Sequence, residues 1–95
     1  MQSTAQITTA KASGYLQQLA KHFAHKRPVT FDPSDADIRF DGFRAELHAE
    51  GEVLSMAIHA DDAELLSRGE DVIWRHLERF AFREELVAPD WQRAA

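Results

Sequence analysis

Five histidines are the side chains of this sequence best suited to proton transfer or metal binding, and three of them fall on two helical stretches. From Leu65 to Phe80, the residues Leu65, Leu66, Val72, Ile73, Leu77 and Phe80 recur at the three- and four-residue steps of a core-facing helix. At about 100° per residue, His76 falls inside that apolar stripe, between Leu65 and Phe80. A buried imidazole requires hydrogen-bond partners, so the fold must supply them. His22 and His25 stand three residues apart at the end of the other long helix, where both reach one side. Imidazoles at that spacing are usable metal ligands. His22 borders the apolar face beside Tyr15, and His25 lies about 60° farther toward solvent.

With the two helices side by side, His76 faces Tyr15 and His22, and Arg83 lies two turns beyond His76 on nearly the same face. Desolvation and like charge would then lower the proton affinity of the histidines. Arg83 carries a planar fork that suits a carboxylate or phosphate. The candidate ligand-binding residues are therefore His22, His76, Arg83, Tyr15 and His25, with His22 and His25 the candidates for metal. A core histidine donating to a backbone carbonyl accounts for His76 equally well, and arginines near a helix C-terminus complement its dipole. No nucleophile elbow, phosphate loop or dinucleotide fingerprint occurs, so no reaction and no cofactor can be read from the motifs.

The elements that must position these residues are readable from periodicity and turns. Residues Ser3 to Thr8 alternate as a first strand, and a helix follows from about Ala10 to His25, with Thr9 as its N-cap and Pro28 enforcing the stop. Gly14 either weakens that helix or permits close packing. A four-stranded meander comes next. Asp41-Gly42 predicts a tight hairpin that pairs Phe40 with Phe43 and Ile38 with Ala45. Glu50-Gly51 predicts a second, pairing Leu47 with Leu54, Ala45 with Met56 and Phe43 with Ile58. The looser connection from Asp32 to Asp35 sets Phe31 opposite Ala36 and Val29 opposite Ile38.

All three turns place the large apolar residues on one face, and a one-residue slip would invert it. The expected core is Phe31, Ile38, Phe40, Phe43, Leu47, Leu54, Met56 and Ile58, packed with Leu19, Phe23, Ile73, Leu77 and Phe80. The opposite face, with Thr30, Asp37, Arg39, Arg44, Glu46, His48, Ser55, Ala57 and His59, reads as wet. In this register His48 sits beside Val53, about 20 Å from His59, too far for a joint metal site. The last helix starts near Asp61-Asp62 and extends to about Glu84, and Trp91 folds the tail back. The order β-α-β-β-β-β-α predicts an α+β two-layer sandwich, an antiparallel sheet with two helices packed on one face. Its open face and edge strands offer a homodimer surface.

Ninety-five residues predict a single domain spanning 1–95. A net charge of −5 argues against nucleic acid, whose binders carry a basic face. No apolar run approaches the roughly 18 residues of a membrane span, and no leader peptide is visible, so a cytoplasmic location is expected. The absence of cysteine excludes disulfides and thiolate metal centres.

The stretches from Tyr15 to Lys26 (YLQQLAKHFAHK) and from His76 to Leu86 (HLERFAFREEL) resemble the signature segments of the bacterial domain-of-unknown-function family 2218. The spacing between them, the His59-Ala-Asp-Asp end of the strand region and the closing Asp90-Trp91-Gln-Arg are similar as well. The resemblance implies that some relatives place cysteine where this chain has Ala20, which argues against a thiol-dependent role here. The resemblance carries no activity. It implies association with flavin-dependent siderophore-interacting proteins, and hence a link to bacterial iron utilisation. The expected function is a small cytoplasmic binding or accessory domain for a small ligand or metal chelate. The alternatives are a small enzyme using His76 and His22 for acid–base chemistry, or a structural dimerisation module.

Overall fold

Alternating burial along the strands fixes which face of the sheet meets the helices. The computed structural model describes residues 1–94, in the order β1 (Gln2–Thr8), α1 (Ala12–Phe23), β2 (Val29–Phe31), β3 (Asp35–Arg39), β4 (Phe43–Glu50), β5 (Val53–Ala60), α2 (Ala63–Phe80) and β6 (Gln92–Ala94). The strands form one antiparallel sheet in the order β2-β3-β4-β5-β1-β6. Ile38, Ala45, Leu47, Leu54, Met56 and Ile58 point from it toward Leu16, Leu19, Leu66, Ile73 and Leu77 of the helices, and all are buried. The α+β two-layer sandwich is the fold expected from the sequence.

Two of the three expected turn registers hold. Ile38 pairs with Ala45 across Asp41-Gly42, and Phe31 pairs with Ala36 across the β2–β3 loop. The β4–β5 hairpin differs: Glu50 pairs with Val53, so the turn is Gly51-Glu52 and Leu47 meets Met56 rather than Leu54. Gly51 has φ +59 as the first central residue, the position that a type II′ turn gives to glycine. The expected turn would have needed a positive φ at Glu50. Because the partners shift by two residues, the buried face is unchanged.

Other elements depart from expectation at their ends. Helix α1 is shorter than the expected Ala10–His25 span, and Lys11 rather than Thr9 stands at its N-cap. Thr9 still serves the helix entry, since its hydroxyl accepts from the Lys11 backbone N–H at 3.1 Å. Helix α2 is capped as expected by Asp62, whose carboxylate accepts from the Leu65 N–H, but it stops at Phe80, not near Glu84. Phe31, expected in the core, is 39% exposed because β2 is a three-residue edge strand. Phe23, Phe40 and Phe80 are only half-buried at the core's margin.

The tail does more than fold back. Trp91 packs against the core, and β6 adds a sixth strand beside β1. Arg93 holds it there through two hydrogen bonds to Glu70 (2.9 and 3.2 Å) and one to Ser67 at 2.7 Å. Burial opposes ionisation of Glu70, yet Arg93 outweighs it and keeps the carboxyl below its ordinary range. Among the described residues, no helix is long and apolar enough to cross a membrane.

Candidate functional site

The C-terminal end of α1 packs against the second half of α2 and brings His22 to His76. Their ring centroids lie 4.9 Å apart. His22 also meets Phe80 at 5.7 Å, and Phe23 contacts both His76 (4.8 Å) and Phe40 (5.0 Å). The expected apposition of the two histidines is therefore present. Its setting is different. His76 is half-buried and His22 exposed, because α1 ends at Phe23 and leaves this end of the helix pair open to solvent.

The Nδ1–H of His76 donates to the Val72 carbonyl at 2.7 Å, one turn back on the same helix. A carbonyl can only accept, so this bond fixes the tautomer and leaves Nε2 with its lone pair open in the neutral ring. Desolvation against the neighbouring rings, then the charges of His76 and His25, lower the proton affinity of His22 below its ordinary 6.5. His25 is exposed and one turn on from His22.

Tyr15 and Arg83 do not join this pair. Arg83 lies past the end of α2, exposed, with its guanidinium 5.4 Å from the Phe82 ring centroid. Tyr15 is buried, and its hydroxyl donates to Glu84 Oε2. Thr9 donates to Glu84 Oε1 at 2.8 Å, so one carboxylate gathers both hydroxyls. The sequence hid Glu84 within what reads as a helix-terminal charge run. The turn after Phe80, and Glu85 with φ +51, carry it inward instead.

On the opposite face of the sheet, His48 sits across from Ser55 rather than Val53. Along β5, Ser55 is four residues from His59, so the histidines stand about 13 Å apart instead of 20. They remain separate sites: His48 donates to Asp35 at 2.8 Å, and His59 meets Glu46 at 2.5 Å. The Asp35 hydrogen bond raises the proton affinity of His48, and the Asp35, Glu50 and Asp32 charges add to it. This face also holds a concavity of about 810 Å3, lined by neither His22 nor His76. The sequence marks the face as wet but gives no sign of its curvature.

The two shifts have opposite signs and can be read in one titration. Histidine NMR should place the midpoint of His22 below 6.5 and that of His48 above it. His48 then favours the folded state below pH 6.5, and loses that contribution as pH rises through its folded midpoint. His22 does the reverse, because the unfolded state holds its proton more tightly. Coincident midpoints would contradict both sets of contacts.

A two-layer sandwich with one covered and one open sheet face, and paired histidines at the end of its helices, defines the class. The family model described as "Uncharacterized protein conserved in bacteria (DUF2218)" matches residues 4–92. The chain belongs to that family. It is also similar to PA4090 from Pseudomonas aeruginosa, known from an NMR structure, at 32% identity and a TM-score of 0.83; the match covers 98% of this chain and 96% of that one. No curated protein matches the sequence.

Proposed function

We propose that this domain is a binding module, an accessory to another cytoplasmic protein, which holds a chelated metal ion between His22 and His76. The observation that carries this reading is the pair itself: two imidazoles from separate helices, 4.9 Å between centroids, with His76 Nδ1–H tied to a carbonyl. Metal-ligating histidines commonly donate their other ring N–H in this way. The lowered proton affinity of His22 favours the neutral form, which is the form that ligates.

The donor set decides what kind of metal fits. Among the described residues, no group of three or more His, Cys, Asp or Glu is placed to hold an ion. Two imidazoles suit a metal that arrives with other ligands, as cargo, and they favour zinc, copper, nickel or ferrous iron over hard cations. The association of the family with flavin-dependent siderophore-interacting proteins, which the resemblance implies, makes iron the cargo on this reading. A flavin supports the one-electron chemistry that yields ferrous iron. An acid–base enzyme would use the same Nε2 of His76, but it would need a cavity around its substrate, and the concavity described above lies on the other side of the sheet.

Nickel nitrilotriacetate, zinc and, without oxygen, ferrous iron should each shift or broaden the ring signals of His22 and His76 and leave those of His48 and His59 unchanged. His22→Gln and His76→Gln should each weaken binding at least about tenfold, the lower end of the cost of losing even an outer-shell partner. Affinity unchanged in both variants, or signals moving only at His48 and His59, would remove the proposal.

A further inference from the structure

Among the described residues, no element covers the sheet face away from the helices, and its concavity crosses the strands from the β2–β3 side to the C-terminal tail. Asp32, Asp35, Asp37 and Glu46 line one side of it, and Asp90 lines the other. Between them the floor is small and uncharged, made by Thr4, Ser55 and Ala57. Among the described residues, no lysine or arginine lines the trough, and its one lining histidine, His48, is engaged by Asp35. Arg44 serves both Asp37 and Glu46, at 3.1 and 3.2 Å, and His59 also meets Glu46, at 2.5 Å. The second carboxylate oxygen of Asp37 has no hydrogen-bond donor. The register runs Asp37, Glu46, Ala57, Thr4, Gln92 from β3 to β6. That is four strand spacings, roughly 19 Å measured along the sheet.

We infer that this trough binds a linear aliphatic polyamine, whose ammonium groups meet the carboxylates at the two ends while its methylenes cross Ala57. Charge and shape select that occupant over the others. A second copy docked on a two-fold axis would set the same carboxylates against each other. Nucleic acid is repelled by the same charges. A peptide laid across the face would bring backbone amides to strands whose own amides are already paired, leaving its polar groups without partners. A polyamine has no polar group besides its ammoniums. This site is independent of the histidine pair on the helical side.

Titration of the isotopically labelled chain with spermine at low salt should shift the backbone amides of Thr4, Ser55 and Ala57. Asp37→Asn and Asp90→Asn should each weaken binding about three- to fivefold, and physiological salt should weaken it further. Asp71→Asn, an equal change of charge on exposed helix α2, should leave affinity unchanged. At equal charge, decane diamine should bind more tightly than putrescine, which is too short to span the trough. Equal losses in Asp71→Asn and the trough variants would reduce the effect to net charge and overturn the inference. So would the absence of shifts at Thr4, Ser55 and Ala57, or their movement by a lysine-rich peptide but not by spermine.

Discussion

Replacing Glu84 by alanine should lower the stability of the domain by about 3 kcal/mol. Its carboxylate accepts from Thr9 Oγ1 and from the Tyr15 hydroxyl, and both donors belong to residues at most 6% exposed. Truncation leaves two buried hydroxyls without acceptors, and each costs about 1–3 kcal/mol. It also cuts both side-chain hydrogen bonds by which the segment after α2 is held to Thr9 and Tyr15. For a chain of this size the melting temperature falls about 4–8 °C per kcal/mol. Glu84→Gln keeps one acceptor oxygen and should lose about half as much. Tyr15→Phe removes a single donor and should cost about 1–2 kcal/mol. A double variant, Glu84→Ala with Tyr15→Phe, should fall short of the sum, because the two share one interaction. Melting points within about a degree of wild type for all three single variants would mean that the carboxylate and hydroxyls are solvated separately.

Glu84 also shows where sequence reasoning stops. Periodicity carried α2 onward through its charge run, and nothing local to that run marks the stop at Phe80 or the left-handed Glu85. The helix ends there because tertiary contacts turn Glu84 toward Thr9 and Tyr15, and those partners lie 75 and 69 residues away. Strand β6 was hidden for the same reason. Gln92-Arg-Ala has no alternation of its own and forms by pairing with β1 while Arg93 grips Glu70. The sheet face, by contrast, was legible. Two candidate turns around Gly51 differ by one residue in sequence and by two in pairing, so even the mistaken hairpin kept every apolar residue on the buried side.

The histidine pair was half legible. The wheel places His22 and His76 toward each other, and they do meet. It carries no information on how far α1 extends to cover them, and with α1 ending at Phe23 the expected buried center becomes an exposed margin. The acidic trough was invisible as a cavity. The strand pattern places Ser55, Ala57, Asp37 and Glu46 on the wet face, but it says nothing of Thr4, and the trough is closed at its ends by the Asp32 loop and the Asp90 tail. Their placement depends on the turn at Ser34 and on the sixth strand, neither of which alternation encodes. Asp32 itself is fixed by accepting from the backbone N–H groups of Ser34 and Asp35, which hold its carboxyl below the usual range.

Gly69→Ala and Gly14→Ala should move stability in opposite directions. Helix propensity alone favours alanine at both, by about 0.5–1 kcal/mol. At Gly14 an added Cβ meets nothing within 4 Å, so the propensity gain should appear in full as a higher melting temperature. At Gly69 the same carbon would lie 2.5 Å from Ile58 Cγ2 and 2.9 Å from Phe43 Cδ2. Neither neighbour can yield cheaply. Ile58 is fully buried and β-branched, which stiffens its first side-chain torsion. Phe43 is stacked on Phe40 at 4.5 Å, and Phe40 is held in turn by Phe23. Helix α2 must therefore rise from the sheet, and overpacking of this kind costs about 1–3 kcal/mol. Less the propensity gain, the net loss should be about 1 kcal/mol. Because His76 rides on the same helix two turns further along, its contact with His22 should loosen too, visible as a smaller separation between the His22 midpoint and 6.5. A Gly69→Ala protein as stable as Gly14→Ala would mean that α2 stands farther from β4 and β5 than the structure places it.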